Sequence, residues 1–173
     1  MKPEIRNPKS EIVVIALGSN LGDSRQIILQ ATGRLEEFSD RPILKSSLWE
    51  TAPVDCPPGS QVFVNAVVGL QPRAGETPES LLAKLKKIEQ EFGRQPKKIA
   101  NEPRPLDLDL IAFGNRTRDS QQLALPHRRA HLRRFVLQPL CEITPDLILP
   151  GQTKTVSELF RALASGEIIR RLG

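Results

Sequence analysis

Tyrosine is absent from this 173-residue chain, tryptophan and methionine occur once each, and aromatic residues make up only 4%. Such a supply cannot furnish the stacking platforms on which single-stranded nucleic acids are held, and no segment resembles the aromatic signature of RNA-recognition sheets. There are two cysteines, Cys56 and Cys141, far apart in the chain. Neither a disulfide framework nor a zinc site fits that spacing, so reduced thiols are expected. No apolar run approaches the roughly 18 to 20 residues that cross a bilayer. The segment Met1 to Glu11 is polar and lacks the apolar centre of a signal peptide. A soluble, cytoplasmic protein without a membrane partner is expected. Also missing are the G-x-x-x-x-G-K-[ST] phosphate loop, the G-x-G-x-x-G dinucleotide turn and the protein-kinase catalytic loop.

What is present is an ordinary globular composition, 39% hydrophobic and 26% charged, with a net charge of +5 and a pI near 9.6. The basic balance suits a polyanion, either nucleic acid or a small phosphate-rich ligand. The scarcity of aromatics favours the small ligand, and nucleic acid is not expected as a partner. Residues 1–11 read as a loose N-terminal extension and 12–173 as one domain able to bury a core. A monomer is the default for a compact domain of this size.

Ile12 to Leu17 is a short β-branched run that reads as a buried strand. Asp23 or Ser24 caps a helix whose Ile27, Ile28, Ala31 and Leu35 recur at helical spacing. Ile43 to Thr51 reads as one extended segment, Gln61 to Leu70 as a valine-rich strand, and Pro53 to Gly59 between them as a loop. Thr77-Pro78 starts a second helix with the stripe Leu81, Leu82, Leu85, Ile88 and Phe92, and Gly93 stops it. Leu106 to Phe113 is a further strand. A short apolar segment spans Phe135 to Leu140, and a final helix lies near Val156 to Ala164. Strand, helix, strand, strand, helix, strand is the ferredoxin-like order. The fold class expected is therefore α+β: an α/β sandwich with an antiparallel sheet, both helices on one face, and an extra C-terminal helix able to cover the other.

The most informative stretch is Arg104-Pro105-Leu106-Asp107-Leu108-Asp109-Leu110-Ile111. Alternation along a strand sends Leu106, Leu108 and Leu110 one way and both aspartates the other. Their backbone origins then lie roughly 6.5 to 7 Å apart, which suits two ligands converging on one hard cation or on two held by phosphates. A merely solvated face would more naturally carry threonine, lysine or mixed signs, because aspartate is disfavoured in strands and like charges repel. Arg94, Lys97, Lys98 and Arg104 precede the pair, and His127, Arg128, Arg129, Arg133 and Arg134 follow it. A two-aspartate centre between basic segments reads as phosphoryl-type transfer, with Arg128 and Arg129 the first to be assigned to plain surface. His127 is either a phosphate donor or a turn residue, and no base-orienting partner is visible for it.

Together these segments resemble 6-hydroxymethyl-7,8-dihydropterin pyrophosphokinase. The matching pieces are Ala16 to Gly22, Glu50 to Pro53, Phe63 to Ala66, Arg104 to Asp109, Pro126-His127 and Arg133 to Leu140, in the family's order. The resemblance implies transfer of an intact diphosphate from ATP to 6-hydroxymethyl-7,8-dihydropterin, with AMP leaving and two Mg2+ ions bound with ATP. Asp107 and Asp109 match the metal-holding aspartates, and with Arg94 and Arg104 they form the implied catalytic set. Phe63 and Phe135 match the aromatic pair that sandwiches the pterin, a sensible arrangement for a flat heteroaromatic ring. Asn65 matches the pterin-recognising amide, and Thr51 and Val54 the pocket's backbone contacts. Glu89, Arg104, His127 and Arg133 match positions on the ATP side. The chain departs from the pattern before Arg104, where Asn101-Glu102 stands in place of Trp-Gly, and at Pro96, where a second arginine is expected. A lid formed by that loop would close differently here. The rival readings are an inactive relative that only binds, a nucleic-acid-binding domain and a different two-metal transferase.

Overall fold

The computed structural model describes residues 11–53, 56–100, 102–164 and 166–172. The first element among the described residues is β1 (Val13–Ser19), and Asp23 then caps α1 (Ser24–Leu35) by accepting the Gln26 N–H at 3.3 Å. Two short strands follow, β2 (Leu44–Lys45) and β3 (Trp49–Thr51), and then β4 (Phe63–Leu70). Thr77 starts α2 (Pro78–Glu91) with a capping box completed by Ser80, and Gly93, at φ 93°, turns the chain out of it. Next come β5 (Asp107–Phe113), the small ribbon β6 (Arg118–Asp119) and β7 (Ala124–Leu125), then α3 (Arg134–Ile143), α4 (Val156–Ala162) and β8 (Ile169–Arg171).

The main sheet runs β5-β1-β4-β3-β8, with β2 also on β4, and every pairing is antiparallel. This is the expected ferredoxin-like α+β arrangement. On one face, Ile28, Ala31 and Leu35 of α1 and Leu81, Leu85 and Ile88 of α2 close over Val13, Ile15, Leu17, Leu108 and Leu110. On the other, Val136, Leu137 and Leu140 of α3 and Val156 of α4 cover Val14, Ala16, Val67, Ile111 and Ala112. Each such side chain fully withdrawn from water contributes about 1.5 to 3 kcal/mol, so two clusters stabilise a three-layer sandwich.

A bulge fixes how β5 presents its residues. Ile15 pairs with Leu110 but Val14 pairs with Ala112, so Ile111 is the extra residue. Leu108 and Leu110 therefore face α1 and α2, while Asp107, Asp109 and Ile111 face the α3 side; beyond the bulge Phe113 returns to the first face.

The structure departs from the sequence reading in three places. The extended segment 43–51 is two strands, because the Ser46 hydroxyl accepts the Val67 N–H at 2.9 Å and disturbs the ladder between them. The apolar stretch 135–140 is the middle of α3, whose Pro139 sits inside the helix. The sheet also gains an edge strand, β8, paired with β3 through Thr51↔Ile169. Cys56 and Cys141 form no disulfide. Among the described residues no helix is long and apolar enough to cross a membrane.

Candidate active site

Sheet register assembles the site on the α3 side. Asp107 pairs with Gly18, Gly18 with Asn65, and Asn65 with Trp49, while Asp109 pairs with Ala16 and Ala16 with Val67. Each aspartate thus lies beside the smallest side chains available. At Gly18 an added Cβ would come within 3.3 Å of the Asn65 amide oxygen, so glycine is what lets that amide lie flat across β1.

Asn65, buried, donates through Nδ2 to Thr51 Oγ1 at 2.9 Å, which fixes the amide's orientation and keeps its Oδ1 edge toward Gly18. Phe63 stands two residues along β4 on the same face, half-buried, with the Arg104 guanidinium 6.0 Å from its ring centroid. Phe135, at the start of α3, is half-buried with the Arg133 guanidinium 5.4 Å from its ring. Both rings carry a cation over a face, a geometry that also accepts a flat π-system. Val54 falls outside the described residues.

Arginines surround Asp107. Arg94 Nη1 is 2.6 Å from its Oδ1 and is also hydrogen-bonded to Glu89, and Arg104 Nη1 is 3.8 Å from its Oδ2. Glu89 reaches this cluster from the last turn of α2, and burial pushes its carboxyl above the usual range despite the Arg94 charge. Asp109 is the less compensated aspartate. Burial first, and the Asp107 charge second, push its carboxyl up to about 7, more than Arg133 and Arg104 offset. Asp109 is thus short of positive charge in the way a cation ligand is. Among the described residues no three His, Cys, Asp or Glu side chains gather as a metal cage. The two aspartates fit magnesium, which takes one or two carboxylates and completes its shell with water and substrate phosphates.

The His127 ring has a partner that the sequence did not suggest: its Nδ1 accepts the Arg129 backbone N–H at 3.2 Å, while the His127 backbone N–H donates to the Ile111 carbonyl at 2.8 Å. Burial and the charge of Arg133 lower its pKa, so the neutral ring carries its proton on Nε2 as a donor. A cavity of about 610 Å³ joins Asp109, His127 and Arg133 to the apolar Leu82, Leu108 and Leu123. Its lining thus combines charged side chains, apolar ones and the Ser120–Gln122 turn.

The family model described as 7,8-dihydro-6-hydroxymethylpterin-pyrophosphokinase (HPPK) matches residues 14–145 of this chain. The chain belongs to this family. Among curated relatives, 2-amino-4-hydroxy-6-hydroxymethyldihydropteridine pyrophosphokinase of Haemophilus influenzae is 34% identical over 90% of this chain and 95% of its own length. Its Pseudomonas aeruginosa namesake is 38% identical over 80% of this chain and 83% of its own length. The folic acid synthesis protein fol1 of Pneumocystis carinii is 36% identical over 92% of this chain, which spans only 21% of that longer protein. The wild-type HPPK-DHPS crystal structure of Plasmodium falciparum superposes with a TM-score of 0.65 at 17% identity, over 87% of this chain and 42% of that one. That likeness carries the fold alone. The family's reaction is transfer of pyrophosphate from ATP to hydroxymethyldihydropterin in folate biosynthesis.

As an HPPK-family domain, the chain gathers Asp107, Asp109, Arg94, Arg104, Glu89, His127 and Arg133 around one end of β5, and Thr51, Phe63 and Asn65 across β1 from it. Sequence reasoning missed the Ser120–Ala124 turn as a cavity wall; Arg128 and Arg129, read as surface, are exposed as expected and also line the cavity. No periodicity marks a short turn; it reaches the cavity because β7 packs beside β5. The lid comparison at Asn101 falls outside the described residues.

Proposed function

We propose that residues 12–173 form a single pyrophosphokinase domain, acting as a monomer, that uses ATP and magnesium to place a diphosphate on 6-hydroxymethyl-7,8-dihydropterin. The observation that carries this is the under-compensated Asp109, beside the arginine-paired Asp107 and lining a cavity that also holds apolar side chains, in a member of the HPPK family. Asp107 and Asp109 would hold the two magnesium ions, which when bound would supply charge neutralisation for the transferring group.

The chain's own residues do the rest. Arg94, Arg104 and Arg133 bind phosphate oxygens, and His127 donates from Nε2. Glu89 keeps Arg94 aimed at Asp107. Phe63 and Phe135 hold the pterin ring between them, while Asn65, set by Thr51, recognises its edge. With both substrates placed, the pterin hydroxyl attacks the β-phosphorus in line and AMP leaves. Positioning and charge stabilisation supply the rate, since a loose transition state needs little base assistance. The apolar lining at Leu82, Leu108 and Leu123 receives the nucleobase.

The test is a product assay with ATP, magnesium and reduced 6-hydroxymethylpterin, run beside Asp107→Ala and Asp109→Ala. AMP and pterin diphosphate are expected from the wild type, with at least a hundredfold loss in each variant. ADP as the product, or unimpaired variants, would overturn the proposal.

A further inference from the structure

Asn20, the residue just past β1, is fully buried, yet nothing in the proposed chemistry uses it. It makes two bonds to one residue: its N–H donates to the Arg104 carbonyl at 3.2 Å, and its Oδ1 accepts the Arg104 N–H at 2.9 Å. Both backbone groups of Arg104 are thereby satisfied by a residue 84 positions away in sequence. The orientation of the carboxamide follows, because only its oxygen can meet a backbone N–H. Its Nδ2 is then left buried with no partner. A buried unpaired donor is costly, so what this carboxamide contributes to the fold is the bond to its oxygen.

In the segment between α2 and β5, residues 95–100 are exposed and residues 102–105 are half-buried. The Asn20 clamp holds this segment at Arg104. From that point the Arg104 side chain turns inward, with its guanidinium 6.0 Å from the Phe63 ring and Nη1 3.8 Å from Asp107 Oδ2. Its Nε is also buried without a partner, so the side chain is placed by its backbone anchor and not by a bond at that nitrogen.

We infer that Asn20 is a positioning residue for the transfer reaction, acting through Arg104. The inference rests on the proposed role of Arg104 at the phosphates. A loop released at this one point moves the guanidinium by an ångström or more, and displacement of that size costs a positioned reaction up to about a hundredfold.

The experiment is a double-mutant cycle on the full chain, with kcat and KM for each substrate measured for Asn20→Ala, Arg104→Ala and the double variant, and thermal melts alongside. Asn20→Ala is expected to lower kcat/KM for ATP by about 10- to 100-fold. In the Arg104→Ala background the same change is expected to cost less than about threefold, because the residue it positions is gone. A residue with only a structural role would cost the same in both backgrounds, and that additivity would overturn the inference. Should Asn20→Ala fail to fold, Asn20→Asp, assayed from pH 5 to 8, carries the test: it keeps the accepting oxygen and exchanges the nitrogen that bonds to nothing for a second, ionisable oxygen. It is expected to retain activity within about tenfold, and a loss matching Arg104→Ala would overturn the inference. An Arg104→Ala variant with wild-type kinetics would instead remove the site reading itself.

Discussion

Replacing Asp109 by asparagine should abolish transfer and yet stabilise the ligand-free protein at alkaline pH. Its carboxyl is pushed up to about 7 by burial and by the Asp107 charge, against an ordinary value of 3.8. The folded state therefore prefers the protonated form. That preference favours the fold fully below about pH 4 and is lost progressively as pH rises from there through 7. Above pH 7 the fold carries a poorly compensated charge that asparagine does not have. About three pKa units at 1.36 kcal/mol each set a ceiling of about 4 kcal/mol, and water at the cavity mouth reduces this to roughly 2 to 3. For a domain of this size that is roughly 4 to 12 °C in melting temperature. The assay is thermal unfolding of wild type and Asp109→Asn at pH 4, 6 and 8, with and without magnesium and ATP. The melting curves should nearly coincide at pH 4 and diverge steadily to pH 8. Adding magnesium and ATP should raise the wild type and barely move the variant. Equal melting temperatures at pH 8, or an advantage that shrinks with rising pH, would refute the reasoning.

Phe63→Ala and Phe135→Ala should each raise the KM for the pterin at least tenfold, since stacking alone contributes about 0.5 to 1.5 kcal/mol and lost burial adds to it; the KM for ATP should stay within about threefold, and a uniform loss of both would count against the sandwich. Glu89→Gln leaves Arg94 with one charged partner instead of two, so kcat should fall about 10- to 100-fold, the equivalent of a charge-assisted hydrogen bond, while the melting temperature holds or rises. Steady-state kinetics beside a melt separates those outcomes.

The site was legible in the sequence where chemistry and period coincide. Asp107 and Asp109 sit at a two-residue spacing inside an apolar strand, and a strand can only place them on one face. Helices α1 and α2 were equally plain, because Asp23 and Thr77-Pro78 mark their starts and their apolar stripes repeat at helical spacing. What stayed hidden depends on contacts between distant residues. Phe135 to Leu140 reads as an apolar run with a proline in it, and only burial against β4 makes it helical. The partner that orients His127 is a backbone N–H two residues on, which no side-chain pattern announces. The clamp of Asn20 on Arg104 links a glycine turn to a loop 84 residues later, a juxtaposition created by sheet register.

The fate of the β-phosphorus tests the proposed reaction most directly. With ATP labelled at the β-phosphate, magnesium and reduced 6-hydroxymethylpterin, the label should leave the nucleotide entirely and appear in the pterin product, with AMP unlabelled. Label retained on ADP, with the pterin carrying one phosphate or none, would contradict diphosphate transfer by this site.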